Sequence, residues 1–355
     1  LWSGIAQMPP LSERPGWGAH GALKDSSSTD VCVFAGRALS SFYQCGELYA
    51  ADPVSLDPQG AVGWGGHFPR SGVSAHAQVD PATQSLLWFG HARQAPYLQC
   101  GTTGADGEVS QVCEVPLPGP RLPHAMMFTR HLYVLNDFPL FWDPDLLARN
   151  LFVARMHDLP SRFALVPRSS PAQSPSQRRG GPAGCAPGDI RWFEASPTYA
   201  LHFVQAREDG EEVILDGYRQ QCPCPPPLAG APAEYARMMA FLDLDSLRPQ
   251  LWRWRFNLRT GATQEGPLDD MVCEFGCVHA PDPDHAARYV YSMLGEPGWF
   301  LFRGLVKLDL QAGTRQTVAF GPGVFGSELR FVPRPGARSE DDGWLLTLVT
   351  DVGRG

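Results

Sequence analysis

Apolar residues in this chain come in short runs separated by Gly, Pro, Asp or Asn. "DVCVFAGRAL", "QSLLWFG", "HLYVLNDFPLFW", "LWRWRFNL", "RYVYSM", "WFLFRGLVKLDL" and "GWLLTLVTDV" have the length and β-branched or aromatic content of strands. The run in "PTYALHFVQA" (197–206), bounded by Pro197 and the charged "REDGEE", reads as a strand buried on both faces. Helical periodicity is scarce. One turn pattern recurs between runs, in "ADPVSLDPQG" (51–60), "VDPATQSLLWFG" (79–90), "FNLRTGATQEGPL" (256–268) and "LDLQAGTRQTVAFG" (308–321). Each is a strand, an Asp or Asn, a small-residue turn and another strand, which is a hairpin signal. Hairpins repeated from end to end predict an all-β chain, as a propeller of four-stranded blades or a large sandwich, and the even repetition favours the propeller.

Two stretches break the pattern. Residues 168–189, "RSSPAQSPSQRRGGPAGCAPGD", are rich in Pro, Ser and Gly and read as a disordered loop. "PPPLAGAPAEYARMMAF" (225–241) allows one short helix around Glu234 to Phe241. No interdomain linker is apparent, so 1–355 is expected to be a single domain.

Composition narrows the function. The 355 residues are 43% hydrophobic with a formal net charge of −8, and no basic run tracks a phosphate backbone, which excludes a nucleic-acid binder. No apolar run reaches the roughly 20 residues that span a bilayer. Nine scattered cysteines read as reduced thiols of an intracellular protein. Cys222 with Cys224, and Cys273 with Cys277, lack the Cys-x-x-Cys spacing of a zinc site. The chain starts at Leu1, not Met, and a missing N-terminus is expected.

Of ten histidines, His76, His124 and His202 share a setting of small or apolar residues at the start of, or inside, a strand-like run. No local motif joins them. Burial favours the neutral imidazole, which is the form that ligates metals, although a lone histidine in such a run is more often a satisfied core residue. The inner strands of a propeller converge, so the three could meet there. His20, His67, His91, His131, His157, His279 and His285 read as ordinary surface residues.

Segments across roughly 22–353 resemble the carotenoid oxygenase family, which includes carotenoid cleavage dioxygenases, apocarotenoid oxygenases and lignostilbene dioxygenases. The stretches are "GELYAADPVSLDPQG", "AHAQVDPATQSLLWFG", "PHAMMFTRHLYVLNDFPLFWDP", "IRWFEASPTYALHFVQAREDGEEVILDGYR", "LWRWRFNLRTGATQEGPLDDMVCEF", "GLVKLDLQAG" and "FGSELRFVPRPGARSEDDGWLLTLV", in the family's order. The resemblance implies a seven-bladed β-propeller with a small helical cap, incomplete in this chain. It implies one Fe(II) held by four histidines, with His76, His124 and His202 on three ligand positions and the fourth outside this chain. Outer glutamates that receive the ligands' second N–H are matched by Glu274 and Glu328; the third falls at Gln44, which carries no charge. Glu47, close by, is expected on the opposite side of a strand.

The activity so implied is dioxygenase cleavage of a C=C bond of a carotenoid or apocarotenoid by O2, giving aldehyde or ketone products. A stilbene substrate is the near alternative, and a propeller that binds lipid or protein without catalysis is the distant one. The expected partners are a lipophilic polyene and O2, with peripheral membrane contact and no nucleic acid. The expected location is intracellular, the plastid if the source is photosynthetic. Glu328 is expected to face the absent fourth ligand as an unpaired buried carboxylate, so that the chain as it stands binds iron weakly. "GWFLFRGLV" (298–306) is expected to be a core strand, not a membrane-docking surface.

Overall fold

The computed structural model describes residues 25–149, 153–169, 182–232, 242–279, 285–296 and 299–354. Among these, the only α-helix is one turn, α1 (Pro144–Leu147), and the rest is strand, 3-10 turn and loop. The helix expected at Glu234–Phe241 lies outside the described residues. Two compact units emerge. One comprises the described residues up to Met126 with His131–Trp192; the other comprises Met127–Arg130 with the described residues from Phe193 onward.

The first unit opens with the antiparallel sheet β1 (Asp30–Phe34), β2 (Arg37–Ser41), β3 (Tyr49–Ala51) and β4 (Pro58–Ala61). A second sheet follows in the same up-and-down order, β5 (Gln78–Asp80), β6 (Ser85–His91), β7 (Leu98–Thr103) and β8 (Val109–Glu114). After β9 (Met127–Phe128), which belongs to the other unit, a third group is built on the hairpin of β10 (Leu132–Asp137) with β13 (Ser161–Pro167). Between them lies the small hairpin β11 (Leu140–Trp142) and β12 (Ala154–Met156). Trp64 and Trp88 pack with Leu39, Leu48, Val73 and Leu86 in the core of this unit. Trp88 keeps its one polar atom satisfied by donating Nε1–H to Thr103 Oγ1 at 3.0 Å. The buried Asp137 is held by both Arg121 and Arg162, so its charge is paired inside the protein.

β14 (Arg191–Ala195), which starts in the first unit, lies beside β13 in the third sheet, and the second unit goes on to the sheet β15 (Phe203–Asp209), β16 (Glu212–Gln220), β17 (Pro249–Asn257) and β18 (Thr263–Pro267). A larger sheet uses β19 (Cys273–Cys277), β20 (Tyr289–Glu296), β21 (Trp299–Asp309), β22 (Thr314–Ala319) and β23 (Val324–Gly326). The strands β24 (Arg330–Pro333) and β25 (Gly343–Leu346) pair as a hairpin, and β26 (Val349–Asp351) returns to β23. Phe302 and Val306 of β21 are buried, so the part of this run whose side chains are described, 301–306, is core strand.

The four repeated turns share one construction. Asp52, Asp80, Asn257 and Asp309 each accept backbone N–H bonds on Oδ1 from residues two or three positions on. In each turn the residue four positions on, Leu56, Gln84, Gly261 or Gly313, donates its N–H to the same residue's carbonyl at 2.8–3.0 Å. That fifth residue has φ between +53° and +65° at three of the turns and +76° at Gly261. The side-chain oxygen stands in for a backbone turn partner and the left-handed residue reverses the chain, which is why the pattern was readable as a hairpin.

The described residues thus give five sheets of four or more strands, and not seven. Within 168–189, residues 170–181 lie outside the described residues. Ala183 donates to Ser110 and accepts from Val112, which draws 182–186 alongside β8. That juxtaposition joins Cys113 to Cys185 in a disulfide, and so corrects the reading of all nine cysteines as free thiols.

Candidate metal centre

The chain places one chemistry-bearing side chain at the entrance to the first strand of each successive sheet. His76 lies two residues before β5, His124 three before β9, His202 one before β15, and Glu274 is the second residue of β19. The buried strand expected through His202 therefore starts at Phe203, and His202 itself stands just outside it, though its carbonyl still accepts from Tyr218 N–H at 3.0 Å.

In the first unit, His76 Nε2 and His124 Nε2 lie 3.2 Å apart. Nitrogens at this distance suit an N–H···N bond or a shared cation, for which nitrogens about 2.1 Å from the ion and at right angles stand about 3.0 Å apart. The other nitrogen of His76, Nδ1, lies 3.3 Å from Asp30 Oδ2. His76 has φ +62°, a left-handed conformation that costs a non-glycine residue roughly 1–2 kcal/mol. Its neighbours hold it there, since Ala75 is fully buried and Ser74 N–H donates to Phe89 O at 2.8 Å. His124 is fixed through Ala125, whose carbonyl accepts from Asn136 Nδ2 at 2.8 Å, and the Tyr43 ring packs 6.0 Å from it. Tyr43 is itself pinned by Ser74 Oγ and by the buried His91, both on its carbonyl. His91 is thus a core residue, not a surface one, and burial lowers its pKa.

In the second unit, His202 Nδ1 lies 2.7 Å from Glu274 Oε2. Glu274 is fully buried, and the same oxygen accepts Phe275 N–H at 2.6 Å. Phe275 has φ +52° and sits where the β19–β20 register shifts, a bulge that turns Glu274 toward His202. The Phe275 ring packs 4.7 Å from the His202 ring. A carboxylate on Nδ1 fixes the Nδ1–H tautomer and leaves the Nε2 lone pair for a ligand's role.

The remaining candidates behave differently. Gln44 is half-buried in a turn. Residues 43–45 form a turn, so the argument that placed Glu47 across a strand from Gln44 does not hold. Glu328 is not a buried unpaired carboxylate: its side chain is 40% exposed and lies 3.5 Å from Arg330. Solvent and a cation supply what the expected dry surroundings would have withheld. Cys273 and Cys277 belong to no metal-holding group among the described residues, and burial pushes their thiols up to about 12 and about 11. Asp30 was overlooked in the sequence; the signal available was an acid opening the apolar run "DVCVF".

The donor set is all imidazole, which suits iron among other transition metals, with carboxylates behind two of the rings. Residues 1–355 match the family model described as RPE65, retinal pigment epithelial membrane protein. The chain belongs to this family. Among relatives of this RPE65 or carotenoid oxygenase family, the carotenoid 9,10(9',10')-cleavage dioxygenase of Crocus sativus is 28% identical over 79% of this chain and 50% of its own length. The lignostilbene-alpha,beta-dioxygenase isozyme III of Sphingomonas paucimobilis is 25% identical over 94% of this chain and 68% of its own. The crystal structure of cobalt-substituted Synechocystis apocarotenoid oxygenase superposes with TM-score 0.76 at 23% identity, covering 96% of this chain and 70% of that one. The chain spans about half the length of the carotenoid cleavage dioxygenases it matches.

Proposed function

We propose that this chain is part of a non-haem Fe(II) dioxygenase that cleaves a C=C bond of a carotenoid or apocarotenoid with O2, giving aldehyde or ketone products. His76, His124 and His202 would hold the iron, with a fourth histidine outside this chain. Glu274 orients His202, and Gln44 and Glu328 would fall at the other two outer positions that the family resemblance implies. The iron would supply O2 activation beside the alkene. The chain would offer three imidazole ligands, that of His202 held in one tautomer by Glu274, and neutral ligands leave the charge of the ion largely uncancelled. The observation that carries this reading is that His76 and His124 present Nε2 to each other at 3.2 Å while His202 is held through Nδ1 by a buried carboxylate.

The complete protein would be a single seven-bladed propeller with a small helical cap. Support comes from proportion: five sheets of seven is about the 70% of the solved relative that this chain covers. Peripheral contact with a membrane fits a polyene substrate, which partitions into lipid, and among the described residues no helix is long and apolar enough to cross one. An intracellular place, the plastid in a photosynthetic source, is part of the same reading.

Stilbene cleavage is the second reading, supported by the 25% identity to a lignostilbene dioxygenase. The test uses this chain extended at both ends to the relatives' length, reconstituted anaerobically with Fe(II). It is incubated with β-apocarotenals and with hydroxylated stilbenes under O2, and products are separated by chromatography. Aldehydes from the apocarotenals support the first reading and those from stilbenes the second. An extended, folded protein that takes up no iron and cleaves neither would be a non-catalytic binder, and the proposal would be wrong.

A further inference from the structure

Strand β1, "DVCVF", has its pattern inverted. Val31 and Val33 point outward with 60% and 62% exposure, while Asp30 shares the inward face with Cys32 and the buried Phe34. Putting valine in water and an acid inside breaks the rule that a half-buried strand obeys, and such breaks mark residues kept for a purpose other than stability. The Asp30 side chain is 13% exposed, and its Oδ2 lies 3.3 Å from His76 Nδ1. His76 in turn presents its other nitrogen to His124. Asp30 is also the first residue of the first strand of the first sheet, the place where later sheets carry His76, His124, His202 or Glu274.

We infer that Asp30 is a positioning residue for the metal site: it accepts the Nδ1 proton of His76 and so turns Nε2 toward the ion. This rests on the reading of His76 as a metal ligand. Two arguments support it. The carboxylate faces the nitrogen that the ligand role leaves over, as Glu274 does for His202. The left-handed backbone of His76 fixes where its side chain leaves the chain but not how the ring turns, and a partner on Nδ1 supplies that second constraint. The contact is longer than the 2.7 Å between Glu274 and His202, so its effect is the smaller of the two.

Two measurements on the 355-residue chain decide the matter. Cobalt(II) titration of wild type, Asp30→Asn, Asp30→Glu and Cys32→Ala, with melting of each metal-free protein, separates positioning from packing. Expected is a loss of affinity of about tenfold in Asp30→Asn, the low end for outer partners of a metal ligand, with recovery in Asp30→Glu and no change in Cys32→Ala. Long-range nitrogen–proton NMR of the metal-free wild type should show His76 protonated on Nδ1, and Asp30→Asn should redistribute the two tautomers. Equal cobalt affinity in Asp30→Asn and wild type, or an Nε2–H tautomer in wild type, overturns the role. The tautomer reading needs no folded variant. A wild-type chain that binds no cobalt would instead defeat the metal reading itself.

Discussion

Glu274 accepts two N–H bonds on one oxygen, while its other oxygen, also buried, has no partner among the described residues. A desolvated carboxylate so supported is expensive for the fold, and its return is the orientation of His202. Glu274→Gln keeps an oxygen that can accept from His202 and removes the charge. The metal-free variant should therefore melt no lower than wild type, while cobalt affinity falls 10- to 100-fold. A variant that melts much lower and binds metal unchanged would make Glu274 a structural residue only. This carboxylate was legible because Val272, Cys273 and Phe275 left no surface reading for it. Glu328 was not, because "GSELRF" places Arg330 two residues away and nothing in the letters separates a paired, half-exposed acid from a buried one. Gln44 was read from a resemblance, and its turn conformation depends on the bond between Cys45 N–H and Phe42 O at 3.1 Å, which no spacing rule shows.

The hairpins carry the clearest link from sequence to element. Asp or Asn followed four residues later by a left-handed residue recurs at Asp52, Asp80, Asn257 and Asp309, and two of the left-handed positions are not glycine. Leu56 is 71% exposed with φ +64°, so Leu56→Gly relieves strain without emptying a core. It should raise stability by up to about 1 kcal/mol in urea unfolding, and Gly313→Ala, in the matching position, should lower it by about 1–2 kcal/mol. Asp309 adds a pH dependence. Arg288, with the Ala312 N–H behind it, holds the Asp309 carboxyl down from 3.8 to about 2. A folded-state pKa below the unfolded one stabilises above pH 3.8, and that contribution is lost as pH falls toward 2. The stability difference between wild type and Asp309→Asn, measured at pH 6 and again near pH 2, should shrink at the lower pH. A constant difference would assign the whole effect to the turn. Strand ends were harder to read than turns. Apolarity continues through Tyr199–Val204, yet pairing begins only at Phe203, because the register of β15 against β16 shifts at that point.

At the scale of the chain, repetition was legible and number was not. The strand runs became strands in order, since alternation and turn chemistry are local, but nothing local counts sheets or divides them between two units. The proposed iron site offers a test of that division, because it would need His76 and His124 from the first unit and His202 from the second. A ligand that binds only the folded state stabilises by about 2.7 kcal/mol at a hundred times its dissociation constant. One ion shared by three histidines should therefore protect backbone amides beside His124 and beside His202 to a similar degree in hydrogen exchange with saturating cobalt. His202→Ala should remove the protection near His124 as well as its own, although its substitution lies in the other unit. Protection near His124 that survives His202→Ala would show that His76 and His124 take the metal as a pair, and the three-histidine centre would have to be given up.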